Sequence, residues 1–172
     1  GEYPFRDYWV VHGIFVDYLQ ALFFFLFGVS WKSYVLHASL LNGLLTVATY
    51  FIFRNFNLNK SYSLIYSFFF SVLAYTSSGT PFLEHHSAFF SLLGIYCLIL
   101  AIDKEKNLYW ILLPIFFGLA FLSKQVPSSY VILSTCLVLL IYILIKKRFD
   151  CLKYILISST IFIIIIFIFG NI

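Results

Sequence analysis

Read for its hydrophobic and polar positions, the chain from residue 34 onward is a series of long apolar runs parted by short polar breaks. The runs cover 34–53, 61–78, 82–102, 108–123, 128–145 and 153–169. A membrane-crossing helix needs about 20 largely apolar residues, so each run meets or approaches that length. The breaks fall at 54–60, 76–81, 103–107, 124–127 and 146–150. Connections this short make consecutive helices antiparallel neighbours. The expected fold class is therefore all-α, a polytopic transmembrane helix bundle of about six spans plus one short interfacial helix. The runs are apolar all round, so their pattern does not fix the rotation of any helix about its axis.

The short helix is expected over 14–27. Its length is about 21 Å at 1.5 Å per residue, against a hydrocarbon core near 30 Å. Asp17 and Gln20 share one face at i, i+3 spacing. A carboxylate at mid-bilayer is costly, so the helix reads as lying in the outer interface. Asp17 and Gln20 would then face water or protein, and the phenylalanines would face lipid. The domain reading follows: 1–33 is an outer-face loop with an interfacial helix, and 34–172 is the transmembrane bundle. A span from Val10 to Phe27 would instead put the first residues on the cytoplasmic side.

Composition agrees with a membrane location. The chain is 62% hydrophobic and 10% charged, where soluble domains carry about 25% charged residues. There is too little polar surface to cover a water-facing globule. The net charge of +4 comes from short basic clusters between apolar runs, which gives no sign of nucleic-acid binding. Those clusters set an orientation. Alternate breaks hold Arg54 and Lys60, Lys104 and Lys106, then Lys146, Lys147, Arg148 and Lys153. The opposite side has Arg6, Lys32 and Lys124. The positive-inside rule places the richer side in the cytoplasm, so 76–87, Lys124 and Lys32 face outward. Cys97, Cys136 and Cys151 lack metal-ligand spacing and read as small hydrophobes. Methionine is absent and the chain stops at an Ile/Phe-rich run, so the sequence is expected to be a piece cut at both ends. No signal peptide and no internal repeat is visible.

The outward face would gather Asp7, His12, Asp17, Glu84, His85, His86 and Lys124. Carboxylates and imidazoles together can hold a divalent metal ion or act as a general base. No cofactor is demanded by the pattern, and a divalent metal ion is the candidate. Arg6 and Lys124 can hold a phosphate. Each residue also has a plainer reading. Polar loops are usually solvated faces. Adjacent histidines point to different sides of a helix, so His85 and His86 cannot both bind one ion unaided. One of them, like His37 and Asn42 inside the first span, can simply hydrogen-bond a neighbouring helix. Lys124 can snorkel to the interface. Pro114 with Gly118 marks a kink or a close helix contact. Arg6-Asp7 sits between Phe5 and Tyr8-Trp9, aromatics that hold a loop at the membrane surface.

Three segments, Gly1 to Gly13 with the short helix ending at Gly28, Pro81-Phe82, and Gly118 to Lys124, together resemble the polytopic glycosyltransferases of the GT-C class. The likeness is to the group that holds protein O-mannosyltransferases, the lipid A aminoarabinose transferase and related bacterial enzymes. In these a Pro-aromatic-Arg-Asp-aromatic segment precedes His-Gly-Pro and an interfacial helix. Here Ile14 stands where Pro is common. The family's acidic pair after a first span, and its later spans and outer domain, lie beyond this sequence, so the resemblance implies an N-terminal-half fragment, inactive by itself. It implies transfer of a sugar from a polyprenyl-phosphate donor to an acceptor lipid, glycan or protein on the outer face, in a bacterial inner membrane with the site facing the periplasm. It implies Asp7 as the catalytic residue. Arg6 and Lys124 would hold phosphate, His12 would orient the loop, and Glu84, His85 and His86 would line the cavity. A multi-pass transporter or flippase is the rival reading, and a non-enzymatic assembly subunit another. A transporter should carry ionisable residues near mid-span; here they sit mostly at span ends.

Overall fold

The computed structural model describes residues 13–75 and 79–170, with side chains as far as Ile164. Among the described residues there are seven helices and no strand: α1 Phe15–Phe27, α2 Trp31–Asn55, α3 Lys60–Ala74, α4 Leu83–Lys104, α5 Asn107–Ser123, α6 Gln125–Lys146 and α7 Asp150–Gly170. This is an all-helical membrane protein. Each apolar run meets one helix, that of 61–78 being helical to Ala74, with α1 as the short first helix. Helices α2, α4 and α6, of 25, 22 and 22 residues, are long and apolar enough to cross a membrane. Helix α3 has 15 residues, about 22 Å.

Local chemistry sets the helix ends. The Ser33 amide donates to Ser30 Oγ at 3.2 Å, capping α2. The Ser61 amide donates to Asn59 Oδ1 at 3.1 Å at the start of α3. Gly28 ends α1 at φ 79°, ψ 158°, a backbone region open to glycine almost alone. Val126 is extended within the first turn of α6, the conformation that a following proline favours.

The chain forms two compact units, 1–10 with 14–86 and 11–13 with 87–172. In the first, α2 packs against α3 and α1, around Val16, Phe23, Ala38, Leu45 and Ile52. Asn42 Nδ2 donates to the Ser71 carbonyl at 2.9 Å, joining α2 to α3 as expected of a polar residue inside a span. Its Oδ1 is buried without a hydrogen bond, so the residue is only half used. Replacing Asn42 by Ala should therefore cost only about 0.6–1.7 kcal/mol, measured as the shift in reversible unfolding in mixed micelles.

In the second unit α5 packs against α6 and α7. Its core joins Cys97, Leu98 and Ala101 of α4 with Trp110, Leu113 and Phe117 of α5, Leu139 and Ile143 of α6, and Cys151 of α7. Gly118 is a close helix contact: a Cβ there would sit 2.0 Å from the Phe162 ring. At one end, Arg148 pairs with Glu105 and Asn107 Nδ2 donates to Tyr154 Oη at 2.9 Å. These bonds tie the α4–α5 and α6–α7 connections together. An apolar cavity of about 520 Å³ lies among α5, α6 and α7, lined by Pro114, Phe117, Gly118, Thr135, Cys136 and Phe162 among others.

Candidate active site

Two groups of polar side chains stand out, one in each unit. In the first unit, His37 of α2 and His86 of α4 are each 1% exposed, and Gln20 of α1 is 8% exposed. His37 Nδ1 lies 2.8 Å from Gln20 Oε1. Its Nε2 lies 2.9 Å from His86 Nε2. His86 Nδ1 lies 2.8 Å from the carbonyl of Phe82, the residue just before α4. Phe23 stacks on the His37 ring, centroids 4.7 Å apart and planes at 17°. Helix α1 is thus docked on α2 through Gln20 and Phe23, three residues apart. Phe23 departs from the expectation that the phenylalanines face lipid, because burial of Gln20 turns that face of α1 inward. Phe25 and Phe27 remain exposed.

The adjacent histidines separate as the helix geometry requires. His86 is buried, whereas His85 is half-buried and hydrogen-bonded to the backbone of Ala74. Glu84 is exposed. Their shared position at the start of α4 is what the sequence conveyed. The His37–Gln20 partnership was not visible there, although Gln20 had already been placed on one face with Asp17.

In the second unit the centre is Lys124, the extended residue between α5 and α6. Its amide donates to Ala120 O at 3.1 Å. Its carbonyl accepts from Ser128 Oγ at 2.6 Å and from Ser87 Oγ at 3.2 Å. Ser87 and Ser128 are wholly buried. The backbone of Lys124 is therefore held on both sides of the turn, and the side chain is half-buried. Gly13 meets the same turn. A Cβ on Gly13 would lie 1.7 Å from the Leu122 carbonyl oxygen and 2.2 Å from its carbon. Glycine alone permits this approach of the chain to the end of α5. Gly13 and the segment ending at Lys124, both of which drew notice in the sequence, meet here. Ser87 was not among the expected residues; a small polar residue one position beyond two histidines gives little signal in a sequence.

Arg6, Asp7 and His12 lie outside the described residues. Among the described residues, no group of three or more His, Cys, Asp or Glu is placed to hold a metal ion.

Apolar spans, a short docked first helix and polar groups at helix ends define an integral membrane protein with a helical bundle. The family model described as dolichyl-phosphate-mannose-protein mannosyltransferase matches residues 11–171, and the chain belongs to that family. It is accordingly a membrane glycosyltransferase chain, a class that works in lipid on a lipid-linked sugar donor. No curated protein and no solved structure matches it.

Proposed function

We propose that the protein transfers a sugar from a polyprenyl-phosphate-linked donor to an acceptor lipid, glycan or protein on the outer face of a bacterial inner membrane. The observation that carries this reading is the meeting of Gly13 with the Leu122–Lys124 turn in a chain of this family. It sets Gly13 against a turn whose backbone is fixed. The distribution of basic residues supports an outward orientation for that turn, with residues 1–33 as an outer loop carrying an interfacial helix.

In this reaction an oxygen of the acceptor attacks the sugar's anomeric carbon. The bond from that carbon to the phosphate oxygen breaks, and polyprenyl phosphate leaves with the electron pair. Asp7 takes the acceptor's hydroxyl proton. Arg6 and Lys124 stabilise the charge gathering on the departing phosphate. His12 orients the loop, while Glu84 and His85 line the acceptor cavity; His86, expected there too, is instead buried against His37. The apolar cavity among α5, α6 and α7 offers room for part of the donor's lipid tail. No step is assigned to a metal ion.

The test is a transfer assay with the full-length protein in lipid vesicles, supplied with synthetic polyprenyl-phosphate sugars and scored by labelled product. Wild-type protein should transfer. Lys124→Gln should lose about ten- to a hundredfold in rate, the worth of one hydrogen bond to a charged group. Transfer at the wild-type rate in that variant would remove Lys124 from the site. Transport of the lipid without transfer would replace the enzyme reading by that of a flippase.

A further inference from the structure

The hydrogen bonds along Gln20, His37, His86 and Phe82 contain an arithmetic that fixes where protons can be. A backbone carbonyl only accepts, so His86 must donate from Nδ1 to Phe82 O, 2.8 Å away. A neutral His86 then has a bare Nε2. The 2.9 Å contact between the two Nε2 atoms requires that His37 donate there. A neutral His37 is in turn left with a bare Nδ1, which needs a donor opposite it. The atom 2.8 Å away is Gln20 Oε1, an acceptor. Two arrangements satisfy the chain. In one, the Gln20 amide turns over and donates from Nε2 to a neutral His37. In the other, the amide stays with Oε1 inward and the pair carries one added proton: His37 Nδ1 bears a hydrogen toward Oε1, and the hydrogen between the two Nε2 atoms can sit on either ring.

We propose that His37 and His86 form a proton-binding site that takes up a single proton, with the Gln20 amide turning over as it does. The proton comes from water and adds to the bare Nδ1 of His37. Gln20 then presents Oε1 instead of Nε2, and no covalent bond other than the new N–H changes. The pair holds one added proton rather than two, because a hydrogen on His86 Nε2 would face the one on His37 Nε2 across 2.9 Å.

Three observations fit this site. Gln20 Nε2 is buried without a hydrogen bond, so the two amide orientations each leave one atom unpaired and neither is locked. Phe23 stacks flat on His37, a ring face that suits a cationic imidazole. Finally, the Nε2–Nε2 separation suits a hydrogen between them. A tetrahedral metal ion at about 2.0 Å from each would hold the two nitrogens about 3.3 Å apart, farther than they lie here.

The titratable groups nearest in sequence on the packed elements are Asp17 and Tyr18 on α1, Lys32 and Tyr34 at the start of α2, Tyr75 beyond α3, and Glu84 and His85 on α4. The protonated pair grips Gln20 by a charge-assisted hydrogen bond, stronger than the neutral one. This inference rests on the fold of the first unit and stands apart from the reaction proposed above.

The test is nuclear magnetic resonance of the full chain in lipid bilayers, with histidine rings and glutamine amides labelled with nitrogen-15 and pH varied. Couplings across hydrogen bonds report directly which nitrogen donates to which. The His37–His86 coupling should persist throughout. A Gln20 Nε2–His37 Nδ1 coupling should be present at high pH and vanish at low pH, as His37 Nδ1 gains a hydrogen. In Gln20→Glu the carboxylate can only accept, so His37 Nδ1 should carry a hydrogen at every pH where the glutamate is ionised. A Gln20–His37 coupling that is the same at all pH values, or loss of the His37–His86 coupling on acidification, would overturn the proposal. If Gln20→Glu does not fold, the native measurement decides alone.

Discussion

Gly13→Ala should lower thermal stability by several degrees and reduce sugar transfer with it, whereas Gly43→Ala should leave both unharmed. The two glycines differ in what a single methyl group would meet. At Gly13 the new Cβ would lie 1.7 Å from the Leu122 carbonyl oxygen, 2.2 Å from its carbon and 2.9 Å from its Cα. These are backbone atoms at the end of a helix, and they have no rotamer with which to yield. The neighbouring Lys124 is fixed by its own amide and by two serine hydroxyls on its carbonyl. Relief must come from moving the chain at Gly13 away from the turn. Overpacking of a settled contact costs about 1–3 kcal/mol, and more where the surroundings are stiff. At Gly43, inside α2 and exposed, nothing lies within 4 Å of the added Cβ. There alanine gains about 1 kcal/mol of helix propensity. The check is paired melting of both variants in the same detergent, with transfer measured alongside. Equal behaviour of the two would mean that Gly13 does not touch α5 as described.

Asp7→Asn should abolish transfer, by at least about a hundredfold, with no change in the amount of protein in the membrane. A positioned general base contributes about 10²–10⁴ in rate. Asparagine keeps the size and polarity of the side chain but cannot take a proton. Gly13, whose contact with the end of α5 is described above, is left untouched by this substitution. The measurement is initial rate at saturating donor, with membrane level followed by immunoblot. A fall in donor affinity with an unchanged maximal rate would assign Asp7 to donor binding instead. Unchanged transfer would remove it from the site.

The helices were legible in the sequence because membrane spans are signalled by length and apolarity, both of which are local. The runs at 82–102 and 108–123 coincide closely with α4 and α5. Contacts between spans were not legible. His37 and His86 are 49 positions apart, and each looks like any polar residue in an apolar run. Gly13 gave no spacing signal either; its role depends on where Leu122 lies in space. Phe23 was misjudged for a related reason. An all-apolar helix face carries no mark of which phenylalanine meets protein, and only the docking of Gln20 decides it. Of the expected site residues, Lys124 sits on a backbone firmly held in place, while Glu84, His85 and His86 keep the order their helix imposes.

Helices α5 and α6 are joined through the single residue Lys124. Ser128, Thr135, Leu139 and Ile143 make the buried stripe of α6, and its phase is set by counting from that junction. One residue more or fewer there would roll α6 by about 100° at 3.6 residues per turn. Val138 in the first case or Leu140 in the second, both now exposed, would turn toward its neighbours, and the hydroxyl of Ser128 would leave the Lys124 carbonyl. In this stretch the chain's length carries information that its side chains do not. Relatives that share this packing are therefore free to vary the residues of the junction far more than their number.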